Sequence, residues 1–155
     1  MAVEWAKASD DVVETAQELI DRYHPGLEEA RIAFLFRADN PMSGGKRVLG
    51  NASKVSAQWK PLLTDEFDFV IWLVYEEWKM ANKKQRKAML DHQLCHCVLE
   101  NGEASIKGHD IEEFTAVIAR WGEWQHDLED VGRAFRQEPL LNVPSGRQGK
   151  LVAVD

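Results

Sequence analysis

Cysteine is scarce in this chain: two of 155 residues, Cys95 and Cys97. Two positions apart on a helix, they point about 200° away from each other, too far round to pair. A disulfide scaffold is thereby excluded, and a reduced, intracellular chain is expected. No apolar stretch nears the roughly 20 residues that a membrane-spanning helix needs. The start, MAVEWAKASDD, lacks a basic region followed by an apolar one, so a secretory leader is not expected. Basic residues are also in short supply, 19 Lys and Arg against 26 Asp and Glu, for a net charge of −7. Coating nucleic acid over a whole surface requires the opposite balance, so nucleic acid is not an expected partner. Internal repeats and low-complexity segments are absent. The remainder is ordinary for one globular domain, with 45% apolar and 29% charged residues.

Ser9, Asp10 or Asp11 can cap a helix running to about Tyr23, with Val12, Val13, Ala16, Leu19, Ile20 and Tyr23 on one face. His24-Pro25-Gly26 ends it. Ile32 to Phe36 reads as a strand, Asn40 to Gly45 as a turn, and residues 47–56 as a weak second strand. Phe67 to Tyr75 (FDFVIWLVY) is the strongest strand and is apolar on both faces, so it should be covered on both sides. Residues 79–99 read as one long helix, basic in its first half (Lys79 to Lys87), a run that reads as a solvated face. A third helix is expected from about Asp110, its apolar face running from Ile111 through Phe114, Trp121 and Trp124 to Val131. Trp72, Trp121 and Trp124 are expected in the core. The predicted fold class is α+β, with a small antiparallel or mixed sheet of about three strands on a central helix and flanking helices. One domain is expected over 1–138, followed by a loose Pro- and Gly-punctuated tail over 139–155.

Histidine is where the chain is unusual: three of its five lie between positions 92 and 109. In His92-Gln93-Leu94-Cys95-His96, residues i and i+4 of a helix share one face, so both imidazoles can reach one Zn²⁺ at about 2.0–2.1 Å. The arrangement is the HExxH of zinc peptidases with Gln93 at its second position. There a Glu takes a proton from the activated water and passes it on. A Gln amide keeps the shape and the hydrogen bonds but is no base near pH 7. A third ligand is needed. A metzincin would carry Gly and His at positions 99 and 102, where this chain has Leu99 and Gly102. His109 is preferred, at the entrance to the third helix; Glu112 or Glu113 inside that helix is the alternative, and His126 a distant fourth. Cys95 and Cys97 read better as small apolar residues than as ligands. Glu100, one turn beyond His96 if the helix continues, is either a hydrogen-bond acceptor for it or a surface residue.

The run Asp91-His92-Gln93-Leu94-Cys95-His96, followed by Gly108-His109-Asp110-Ile111-Glu112-Glu113-Phe114, resembles the phage metallopeptidase family. Its members show DHELCH and then HD-x-EEF, and they are similar in layout to SprT-like and other zincins. The resemblance covers roughly residues 10–130 and breaks only at Gln93. It implies a zincin-like fold, a Zn²⁺ cofactor, peptide-bond hydrolysis by a zinc-activated water and, for a phage-encoded protein, the host cytoplasm. Gln93 then stands in the catalytic position, and the expected function is a metallopeptidase silenced there, by a natural or an engineered change. The expected partner is a polypeptide substrate or a host protein. The alternative is a non-catalytic phage-derived binding protein that keeps a structural zinc. A plain interaction module, its histidines serving structure alone, is the third reading.

Overall fold

A computed structural model describes residues 3–63 and 65–138; the expected tail over 139–155 lies outside them. The chain divides into two compact units at the Gly108–His109 bond. The first contains β1 (Trp5–Lys7), α1 (Asp10–Tyr23), β2 (Ile32–Arg37), β3 (Met42–Ser43), β4 (Lys46–Arg47), β5 (Gly50–Lys54), β6 (Phe69–Val74), α2 (Tyr75–Met80), α3 (Lys83–His96), β7 (Cys97–Glu100) and β8 (Glu103–Ile106). The second contains α4 (Thr115–Trp121) and α5 (His126–Phe135). The fold is α+β, and no helix among the described residues is long and apolar enough to cross a membrane.

The main sheet of the first unit has the order β1-β2-β6-β5. β2 and β6 run parallel, from Ile32 opposite Phe69 to Arg37 opposite Val74, and the other two pairings are antiparallel. Three strands were expected and four are present. The fourth, β1, is only three residues long, too short to display a period of two.

β6 is buried at every position, as its two apolar faces require. Phe69, Ile71 and Leu73 join Val12, Ala16, Leu19 and Ile20 of α1 and Leu90 and Leu94 of α3 in one core. Val70, Trp72 and Val74 form a second core with Ala33, Leu35 and Trp59, where the rings of Trp5 and Trp72 lie 5.7 Å apart, edge to face. Each Val, Leu, Ile or Phe among them taken fully out of water contributes about 1.5–3 kcal/mol. Val13 and Tyr23, expected on the buried face of α1, are exposed.

The single helix expected over 79–99 is two helices with a strand after them. Asn82 breaks it: its side chain accepts from the Gln85 N–H at 2.8 Å while Gln85 Oε1 accepts from the Asn82 N–H at 2.9 Å. This reciprocal capping box satisfies donors that a continuing helix would have bonded internally, so α3 starts afresh at Lys83. At its other end α3 stops at His96, because residues 97–106 pair as the hairpin β7–β8. Asn101 and Gly102, both at positive φ (52° and 78°), make the tight turn. The third helix expected from Asp110 is also interrupted. Residues 109–114 are not helical, and Gly122 at φ 66° separates α4 from α5. Leu128 is buried, whereas Phe114, Trp121 and Trp124 are exposed, so the placement of Trp121 and Trp124 in a core is corrected.

Gly50 opens β5 at a point where no side chain fits. A Cβ there would stand 2.8 Å from the Trp72 carbonyl oxygen and 3.2 Å from Gln93 Nε2. The first neighbour is backbone of the central strand and cannot move aside. Gly50→Ala is therefore expected to destabilise the chain by about 1–3 kcal/mol, the usual cost of overpacking. Urea unfolding measures it, and a midpoint equal to that of the unaltered chain would contradict this packing.

Candidate metal centre

α3 carries the histidine pair on its outer side and the core on its inner side. Leu90, Gln93 and Leu94 are buried, while His92 is exposed and His96 half-buried. The two imidazole centroids lie 5.1 Å apart with the planes at 71°, and one donor nitrogen of each lies within 4.8 Å of the other. This is the juxtaposition that i, i+4 spacing produces.

His96 is further fixed by the hairpin. Strands β7 and β8 bring Lys107 back beside the last turn of α3, where its N–H donates to the His96 carbonyl at 2.7 Å. In return His96 Nδ1 lies 2.6 Å from the Lys107 carbonyl oxygen. A carbonyl only accepts, so Nδ1 carries a proton, which leaves Nε2 as the ring atom that can face a metal. Orientation by a backbone carbonyl is the common device for a metal-binding histidine. Glu100 does not play this part, because α3 has ended and Glu100 belongs to β7, opposite Glu103. The Lys107 carbonyl was invisible in the sequence, since a backbone atom has no residue-type signature.

Gln93 points inward. It is 6% exposed, and its amide nitrogen lies against Gly50 at the start of the edge strand β5. Asp91, one residue before His92, accepts a 2.6 Å contact from His24 Nε2, and His24 caps α1 with its N–H on the Ile20 carbonyl. That tie joins residues 67 positions apart, beyond the reach of any local pattern.

The remaining candidates divide by unit. Cys97 is buried and its thiol donates toward the Gln93 carbonyl at 3.6 Å. Burial, helped by the nearby Cys95, pushes that thiol up to about 12, so it stays protonated at neutral pH and is a poor ligand. His109 opens the second unit, two residues after Lys107. Glu112 and Glu113, expected inside a helix, lie in the non-helical segment before α4. Glu113 Oε1 accepts from the Phe114 N–H at 2.8 Å. His126 begins α5 with its side chain almost fully exposed, 3.6 Å from Glu129.

A family model described as "Putative phage metallopeptidase" matches residues 3–136. The chain belongs to that family. No curated protein and no solved structure matches it. Membership in the phage metallopeptidase family implies a metal ion, and the donors suit one: two imidazoles on one helix face, one with its tautomer set by a carbonyl. The family match extends a few residues beyond the resemblance at both ends and stops short of the tail.

Proposed function

We propose that this protein is a metallopeptidase scaffold of zincin type whose metal, zinc by its donor set, is held by His92, His96 and His109, and that Gln93 leaves it catalytically silent. The observation that carries the proposal is the ordered pair His92 and His96 with Gln93 between α3 and the start of β5. All-nitrogen imidazole sites suit zinc and its neighbours better than magnesium or calcium. His109 is favoured as third ligand because it follows Lys107 by two residues, at most about 7 Å of chain from a residue bonded to His96. Glu112 and Glu113 remain alternatives. When bound, the ion supplies Lewis acidity toward a peptide carbonyl and toward water.

Among the described residues β5 pairs only with β6, so its other edge is where an extended polypeptide can add as a further strand. A peptide seated there runs beside Gly50 and hence beside the Gln93 amide. That amide can donate and accept hydrogen bonds but cannot take up the proton that hydrolysis releases. Gln93 also favours a second reading, a phage-derived binding protein that uses the same edge to hold a host polypeptide and keeps zinc as a structural brace. The host cytoplasm fits either.

Elemental analysis of the purified chain tests the metal. One equivalent of zinc is expected over what the chain with both His92→Ala and His96→Ala retains, with His92→Ala and His96→Ala each losing that equivalent and His109→Ala weakening it more than Glu112→Gln or Glu113→Gln does. Zinc-free protein from zinc-supplemented cells, or undiminished zinc in His96→Ala, would end the assignment. Thermal melting after chelation separates the two readings. A fold that survives metal removal supports the peptidase scaffold, and one that melts supports a structural ion.

A further inference from the structure

A second set of metal-type donors lies on the neighbouring face of α3. His24, Asp91 and Cys95 each offer one ligand atom, and the three atoms all lie within 4.8 Å of one another. Asp91 and Cys95 are i and i+4 on the helix, the same spacing as His92 and His96 but turned back by one residue, about 100°. The third donor comes from another element. His24 sits at the α1 C-terminus, nine-tenths buried, and its backbone is held on both sides by Leu27 N–H on its carbonyl and its own N–H on Ile20. Its Nε2 is 2.6 Å from Asp91 Oδ1. Cys95 is exposed, so the set is open to solution on one side.

We infer that His24, Asp91 and Cys95 form a distinct binding site for a thiophilic divalent ion of the zinc and cobalt class. Around a tetrahedral ion, N, O and S donors stand about 3.3–3.6 Å apart, given bonds of about 2.0–2.3 Å. The observed spacing brackets that value, so occupancy requires only a slight opening of the His24–Asp91 contact. One nitrogen, one carboxylate oxygen and one thiolate select zinc or cobalt over magnesium and calcium, which prefer all-oxygen shells. Coordination replaces the Cys95 S–H by an S–metal bond and releases the proton to solvent. A water completes the fourth position. The ion would brace α1 against α3 next to the His92–His96 pair, yet it shares no donor with that pair. The site is therefore independent of whether the neighbouring centre is a peptidase site.

Cobalt separates the two sites because only one contains sulfur. The full chain carrying His92→Ala and His96→Ala together, kept reduced with a non-thiol reductant, is titrated with Co²⁺. A near-ultraviolet thiolate-to-cobalt charge-transfer band that saturates at one equivalent is expected. Adding Cys95→Ser should remove the band, adding Cys97→Ser should leave it, and His24→Asn should move the titration midpoint to higher cobalt. Absence of the band, its persistence in Cys95→Ser, or an unmoved midpoint in His24→Asn would overturn the three-donor site. If the double-histidine chain fails to fold, the same Cys95→Ser comparison in the unaltered chain decides, since imidazole ligands give no such band.

Discussion

Gln93→Glu raises chelator-sensitive cleavage of a broad peptide mixture by about 10²–10⁴-fold, the range that a positioned general base contributes. The substitution is nearly isosteric, so the space beside Gly50 that holds the amide also holds a carboxylate. Its burial disfavours the charged form and lifts the carboxyl toward the pH where a base both captures and returns a proton. Gln93→Ala serves as the control and gains nothing. The measurement is mass-spectrometric detection of new termini after incubation of zinc-loaded protein, with and without a chelator. If Gln93→Glu binds zinc, keeps its melting temperature and still cleaves nothing, the peptidase reading fails and the binding-protein reading takes its place.

Leu94→Ala produces the largest loss of stability, about 2–5 kcal/mol, the range for emptying a fully buried leucine site. Leu94 has no exposed surface and packs with Leu90, Ile71 and Leu73 where α3 crosses the sheet. For a chain of this size each kcal/mol lowers the melting temperature by about 2–4 °C. Trp121→Ala, at a position 71% exposed, is the comparison and is expected to stay within about 0.5 kcal/mol. Scanning calorimetry or urea unfolding reads both. A Leu94→Ala chain as stable as Trp121→Ala would mean that α3 does not rest on this core. Zinc affinity should fall along with stability, because the same helix carries His92 and His96.

The parts of this structure that could be read from the sequence are those whose cause is local. β6 announces itself because both faces of FDFVIWLVY are apolar, and α1 because Val12, Ala16, Leu19 and Ile20 repeat with the helical period. The pairing of His92 with His96 needs nothing beyond helix geometry. Where the reading failed, apolar spacing ran on through a change of structure. Val98 continues the pattern of Leu90 and Leu94, but Asn101-Gly102 folds that stretch into a hairpin. Ile118, Trp121, Trp124 and Leu128 keep helical spacing across the break at Gly122, and spacing alone does not bury a residue: Trp121 and Trp124 are exposed. The Asn82–Gln85 capping box was written in the sequence but masked by the basic residues around it. The His24–Asp91 tie and the Lys107 carbonyl on His96 depend on tertiary approach and left no trace in residue type.

The β7–β8 hairpin also dictates where this chain can change length. Strand side chains alternate, so one residue inserted into either arm would turn the following positions over and carry the Lys107 carbonyl away from His96. Deletions within 97–107 meet the same obstacle. The tip behaves differently: residues added between Asn101 and Gly102 lengthen the turn while Cys97 and Ile106 still close the base. That single peptide bond is thus a natural insertion port, able to carry a tag or a graft without disturbing the histidine that its stem holds in place.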